Sequence, residues 1–129
     1  MDRILRQMPS ESVRVLVVWE PMLPTDWYRP TRPTLKRVSD SRVVQFWDKG
    51  HLIAGEVKRQ LQQFDRRDPS CCEDGGHLWD MAAVYAPGVR WGEAAPVLDD
   101  GPVYLIAPTT LKQAVSKFLG RTSSSVNNR

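Results

Sequence analysis

The sequence predicts an α/β fold: a mixed four-stranded sheet with helices on both faces. Three observations carry that expectation. Residues 13–20 (VRVLVVWE) and 42–48 (RVVQFWD) are short β-branched runs, apolar on most positions, and read as strands covered on both faces. Residues 49–64 carry apolar side chains at helical spacing. Residues 102–107 (PVYLIA) form a further apolar run just before a second helical stripe.

In chain order, Pro21 and Pro24 end the first strand, because proline cannot donate to a ladder. Pro33 reads as the first position of a brief helix whose apolar stripe is Leu35 and Val38. After the second strand, Asp48 is placed to cap the helix over 49–64, and Ile53, Val57, Leu61 and Phe64 share one face of it. Lys58, Arg59, Gln60, Gln62 and Gln63 fall to the remainder, and Arg66, Arg67 and Pro69 close the helix. A polar loop over 68–77 holds both cysteines and Gly75-Gly76, the latter a turn into a third strand at 79–86. The turn Pro87-Gly88 follows, then a longer connection over 89–100 with room for a short strand near Arg90 and Trp91. The fourth strand is 102–107. Thr110 and Gln113 form a capping box for the last helix, with Leu111, Val115, Phe118 and Leu119 as its stripe and Gly120 as its C-terminal cap.

This organisation divides the chain into an N-terminal extension (1–12), a domain (13–119) and a polar tail (120–129). At 129 residues, 41% hydrophobic and 26% charged, the chain can bury a core without a metal or disulfide staple. No run approaches the roughly 20 apolar residues of a membrane span, and residues 1–12 lack the apolar core of a signal peptide, so a cytoplasmic protein without a membrane partner is expected. The formal charge is +3, with 18 basic residues scattered among 15 acids, which does not point to nucleic acid. The nearest basic cluster is Arg29, Arg32, Lys36 and Arg37, a solvated surface or an anion or nucleic-acid contact.

The order strand, helix, strand, helix, strand, strand, helix resembles the thioredoxin core, over about 13–119. The segments WEPMLPTDW (19–27) and VVQFWD (43–48) are similar to those of a bacterial branch of that superfamily with no assigned activity. The resemblance implies a site where the end of the first strand faces the start of the third. It also exposes a departure. Redox-active thioredoxins carry C-x-x-C between the first strand and first helix, whereas this chain reads Pro21-Met22-Leu23-Pro24-Thr25-Asp26-Trp27 there, which excludes ordinary dithiol exchange at that place.

The expected binding cleft therefore involves Glu20, Met22, Asp26, Trp27 and Trp79, with Cys71, Cys72, His77, Asp26 and Asp80 as the groups able to do chemistry. Adjacent Cys71 and Cys72 can close a strained, reducible ring or, with His77, hold a thiophilic metal; incidental loop cysteines are the alternative. Asp26 and Asp80 could act as an acid/base pair, but Asp26 fits a loop anchor that accepts backbone amides, with Trp27 packed beside it. Trp19 and Trp47 read as core, and Trp27, Trp79 and Trp91 as cleft residues. No cofactor is implied. Three functions remain open: a binding or interaction module for a protein or small molecule, an atypical thiol or metal-binding protein, and an enzyme acting on a small substrate. A homodimer could form through the edge of the strand at 103–107.

Overall fold

The computed structural model describes residues 5–8, 13–64, 72–74, 76–90 and 92–119. Its elements run β1 (Val15–Trp19), α1 (Arg32–Leu35), β2 (Val43–Trp47), α2 (Leu52–Gln63), β3 (Glu73–Asp74), β4 (His77–Leu78), β5 (Ala82–Val84), β6 (Leu98–Asp100) and α3 (Pro108–Leu119). The fold is thus mixed α/β. The chain divides into two compact units, Met1–Ile53 and Ala54–Arg129. No helix among the described residues is long and apolar enough to cross a membrane.

The first unit is built on a β–α–β turn. β1 and β2 pair in parallel from Val15↔Val43 to Trp19↔Trp47, extended by Val15 N–H to the Arg42 carbonyl at 3.0 Å and Asp48 N–H to the Trp19 carbonyl at 2.9 Å. The short helix between them begins at Arg32, with Pro33 one position later than expected and Thr31 as N-cap. Side chains alternate across the two faces. Val15, Val17 and Trp19 share a face with Val43, Gln45 and Trp47; the other face leaves Leu16 60%, Val44 49% and Phe46 43% exposed. Neither strand is covered on both sides, which corrects the reading of continuous apolar runs as central strands.

Gln45 ties this unit together. Its amide nitrogen donates to the carbonyls of Leu35 and Val38, each at 2.9 Å, and its oxygen accepts the Trp19 indole N–H at 2.9 Å. One side chain thereby joins both strands to the end of α1. Within residues 1–12, Leu5 and Met8 are buried, and the Arg42 guanidinium donates to the Leu5 carbonyl at 2.6 Å and to that of Met8.

The same Arg42 grips Asp40 through Nε to Oδ1 at 2.8 Å and Nη2 to Oδ2 at 2.7 Å. Those hydrogen bonds hold the Asp40 carboxyl down from 3.8 to about 2. In the second unit, Arg59 and Gln60 likewise hold Glu56 down from 4.5 to about 2. A depressed carboxyl stabilises the folded state fully above its unfolded value, and that stability is lost as the pH falls towards its folded value. Acid should therefore weaken the protein progressively between pH 4.5 and about 2, and Asp40→Asn with Glu56→Gln should flatten that slope in urea titrations across the range.

α2 starts at Leu52 rather than at residue 49, because the chain first turns through His51 in the left-handed region (φ 54°). Asp48 keeps its expected capping role, accepting the Ile53 N–H at 2.6 Å. Beyond Ile53 the helix belongs to the second unit, where Leu61 is fully buried against Ala54 and Leu78, with Val57 and Met81 at the edge. Gln60, expected on the polar side, is also fully buried. Three residues after Val57, it lies on the same helical face; its amide nitrogen donates to Glu56 at 3.1 Å and its oxygen accepts the Tyr85 hydroxyl at 3.2 Å.

The strands of this unit depart furthest from expectation. Among the described residues, strands pair only two by two, β1 with β2, β3 with β4, and β5 with β6. The segment expected as one strand at 79–86 holds only β5, while His77 and Leu78 pair back onto Glu73 and Asp74 as a hairpin, turning at Gly76 (φ 85°). Residues 102–107 are not a strand. Leu105 N–H bonds to the Pro102 carbonyl and Ile106 N–H to that of Val103, so the chain turns, and Tyr104 and Leu105 are 78% and 67% exposed. The partner of β5 is instead Leu98–Asp100, and an edge strand at 103–107 that could support a homodimer does not exist. α3 begins at Pro108, two residues before the expected capping box, with Leu111 and Ala114 as its buried positions. Gly120, Arg66, Arg67 and Pro69 lie outside the described residues.

Candidate functional site

A cavity of about 300 Å³ opens in the first unit. Trp19 and Trp47, each the last residue of its strand, form one part of its wall; Arg29, Pro30 and Leu35, from α1 and the loop before it, form another. Gln45 and Phe46 complete it. Parallel register sets Trp19 directly beside Trp47, so two indoles stand on one face with backbones about 4.8 Å apart. This is the carboxyl end of a parallel pair, where open α/β sheets commonly receive ligands.

The polar groups around the cavity are unevenly spent. The Trp19 indole N–H is used by Gln45, and both N–H groups of the Gln45 amide are used by main-chain carbonyls. Glu20, next along the chain from Trp19, meets His51 with Oε2 and Nδ1 2.9 Å apart, both side chains largely shielded. Asp48, next after Trp47, is buried and occupied in capping α2. Arg29 is exposed, and among the described residues its guanidinium has no ion-pair or hydrogen-bond partner.

The residues named from sequence fall into the two units. Glu20, Met22, Asp26 and Trp27 belong to the first, and Cys72, His77, Trp79 and Asp80 to the second. Asp26 is the loop anchor expected: its carboxylate accepts the Leu23 N–H at 3.1 Å, and its own N–H bonds to the Leu23 carbonyl at 2.9 Å. Trp27 is not packed beside it but is 64% exposed. Met22 is half-buried.

In the second unit, Cys72 is fully buried and disulfide-bonded; the chain's other cysteine, Cys71, lies outside the described residues. The Cys72 sulfur sits 3.7 Å from the Asp80 carbonyl oxygen, and the Cys72 carbonyl accepts the Trp79 N–H at 2.9 Å. Asp80 adopts a left-handed backbone (φ 49°) and accepts the Val103 N–H through that same carbonyl at 2.8 Å, a turn role for its main chain. Trp79 is 42% exposed, and His77 is exposed on β4. No group of three His, Cys, Asp or Glu residues able to hold a metal occurs among the described residues.

The cavity's own residues were assigned differently from sequence. Trp19 and Trp47 read there as core, and Arg29 as part of a scattered basic cluster. Strand parity was the available signal, since 15, 17, 19 and 43, 45, 47 fall on one face and both series end in tryptophan. Comparison of the chain with protein-family models, curated proteins and solved structures gives no match.

Proposed function

We propose that this chain is a non-enzymatic binding module for a small molecule, and that the ligand sits against Trp19 and Trp47. The cavity carries the reading. It falls at the small end of the roughly 300–1,000 Å³ range of ligand sites, is half open to solvent, and sets aromatic side chains beside the polar Arg29 and Gln45. Of the nearby side chains that could do chemistry, Glu20 and His51 are paired with each other and Asp48 caps α2. The thioredoxin-like relationship enters through the β1–α1–β2 unit alone, two parallel strands joined through a helix. A thiol function at Cys72 is the weaker reading, because a sulfur with no exposed surface has to be uncovered before a thiol or metal can reach it.

The test is a screen of aromatic fragments by nitrogen-edited NMR on the full chain. Binding should shift the indole resonances of Trp19 and Trp47 and the Gln45 side-chain amide together, with fragments competing for one site. Failure of every aromatic fragment to move those three at about millimolar concentration, the weak end of the affinity scale, overturns the reading.

A further inference from the structure

Granting the pocket reading above, we infer that its ligand is a flat aromatic carboxylate, with the rings against Trp19 and Trp47 and the carboxylate on Arg29. The inference rests on which polar groups around the cavity are still available. Gln45 has given both amide protons to the carbonyls of Leu35 and Val38, and Trp19 has given its indole proton to Gln45. Neither can donate to a ligand without breaking a bond that holds the unit together. No carboxylate lines the cavity, and the two nearest along the chain, Glu20 and Asp48, are bound to His51 and to the Ile53 N–H.

Arg29 is the only charged side chain in the lining, and its planar fork of donors is unspent among the described residues. A guanidinium matches a carboxylate with two parallel hydrogen bonds, a geometry an ammonium or a single dipole cannot reproduce. The remaining walls, Pro30, Leu35 and two indoles, favour a thin apolar body that can stack. Size sets the class further. A space of about 300 Å³ lies at the small end of the range for ligand sites, which suits one or two fused rings with a carboxylate. A nucleotide carries more negative charge than one arginine can meet.

The experiment compares 1-naphthoate with its neutral isostere 1-naphthamide on the full chain, by calorimetry and by the Trp19 and Trp47 indole resonances. Wild-type protein should bind naphthoate at least tenfold more tightly, about the worth of one charge-assisted contact. Arg29→Gln should abolish that preference, so that naphthoate binds no more tightly than naphthamide, with unaltered circular dichroism showing an intact fold. Arg37→Gln, an exposed charge outside the cavity, should leave it intact. Equal binding of the two probes by wild-type protein overturns the carboxylate assignment while leaving the pocket standing. Preference for naphthyl phosphate over naphthoate also overturns it, in favour of an aryl phosphate. Binding of neither naphthalene probe, with no shift at either indole, removes the pocket reading and this inference with it.

Discussion

Replacing Leu61 with alanine should cost the second unit about 2–5 kcal/mol of stability, the range for a large aliphatic side chain removed from a filled site. Leu61 is fully buried against Ala54 and Leu78, with Val57 and Met81 closing the edge. Of those four neighbours Ala54 is small and Val57 and Met81 are only partly buried, so little stands ready to move into the space. The truncation forfeits transfer energy and leaves a cavity besides. Leu52, nine positions earlier on the same helix, is the internal control. It is 78% exposed, so Leu52→Ala should change stability by no more than about 0.5 kcal/mol. Urea titrations followed by helical circular dichroism separate the two outcomes. Equal, small effects from both substitutions would mean that Leu61 does not anchor this cluster.

That contrast also shows what the sequence could express. The stripe Ile53, Val57, Leu61 is legible because helical period and burial coincide, and it separates Leu61 from Leu52 before any coordinates exist. Gln60 escaped the same logic. A glutamine on the buried face is admissible only because Tyr85, 25 residues away, and Glu56 satisfy its amide, and tertiary partners of that kind leave no local trace. Residues 102–107 failed in the opposite sense. Val103, Tyr104, Leu105 and Ile106 have strand composition, yet consecutive turn bonds bend them, and Leu98–Asp100, a leucine and two aspartates, takes the place beside β5. Pairing there follows from which backbone groups meet, and β-propensity yields to that context. The candidate site was half legible. The β1 and β2 runs were found, but reading them as buried on both sides concealed that parity carries Trp19 and Trp47 to one face and Leu16, Val44 and Phe46 to the other.

Gly101→Ala is the substitution expected to do most damage for its size. A Cβ built at Gly101 would overlap the Cys72 sulfur and stand 2.8 Å from the Asp80 carbonyl oxygen, both far inside contact distance. Neither neighbour can yield cheaply. The sulfur is fully buried, and the Asp80 oxygen is main chain, fixed by the Val103 N–H at 2.8 Å and flanked by the Ala82↔Asp100 pairing of β5 and β6. One methyl group therefore has to push apart the point where residues 72, 80 and 101 converge, at a cost of about 1–3 kcal/mol or more. Gly55→Ala supplies the opposite sign from the same chemical change. Gly55 lies inside α2, and a Cβ there meets nothing within 4 Å, so alanine should stabilise the helix by about 0.5–1 kcal/mol. Thermal denaturation of the two variants should bracket the wild-type midpoint. If Gly101→Ala melts at or above the wild-type temperature, the close approach of Gly101 to Cys72 and Asp80 is wrong. If it melts well below, the buried sulfur is held by contacts on which the second unit depends, and uncovering Cys72 for thiol chemistry requires breaking them.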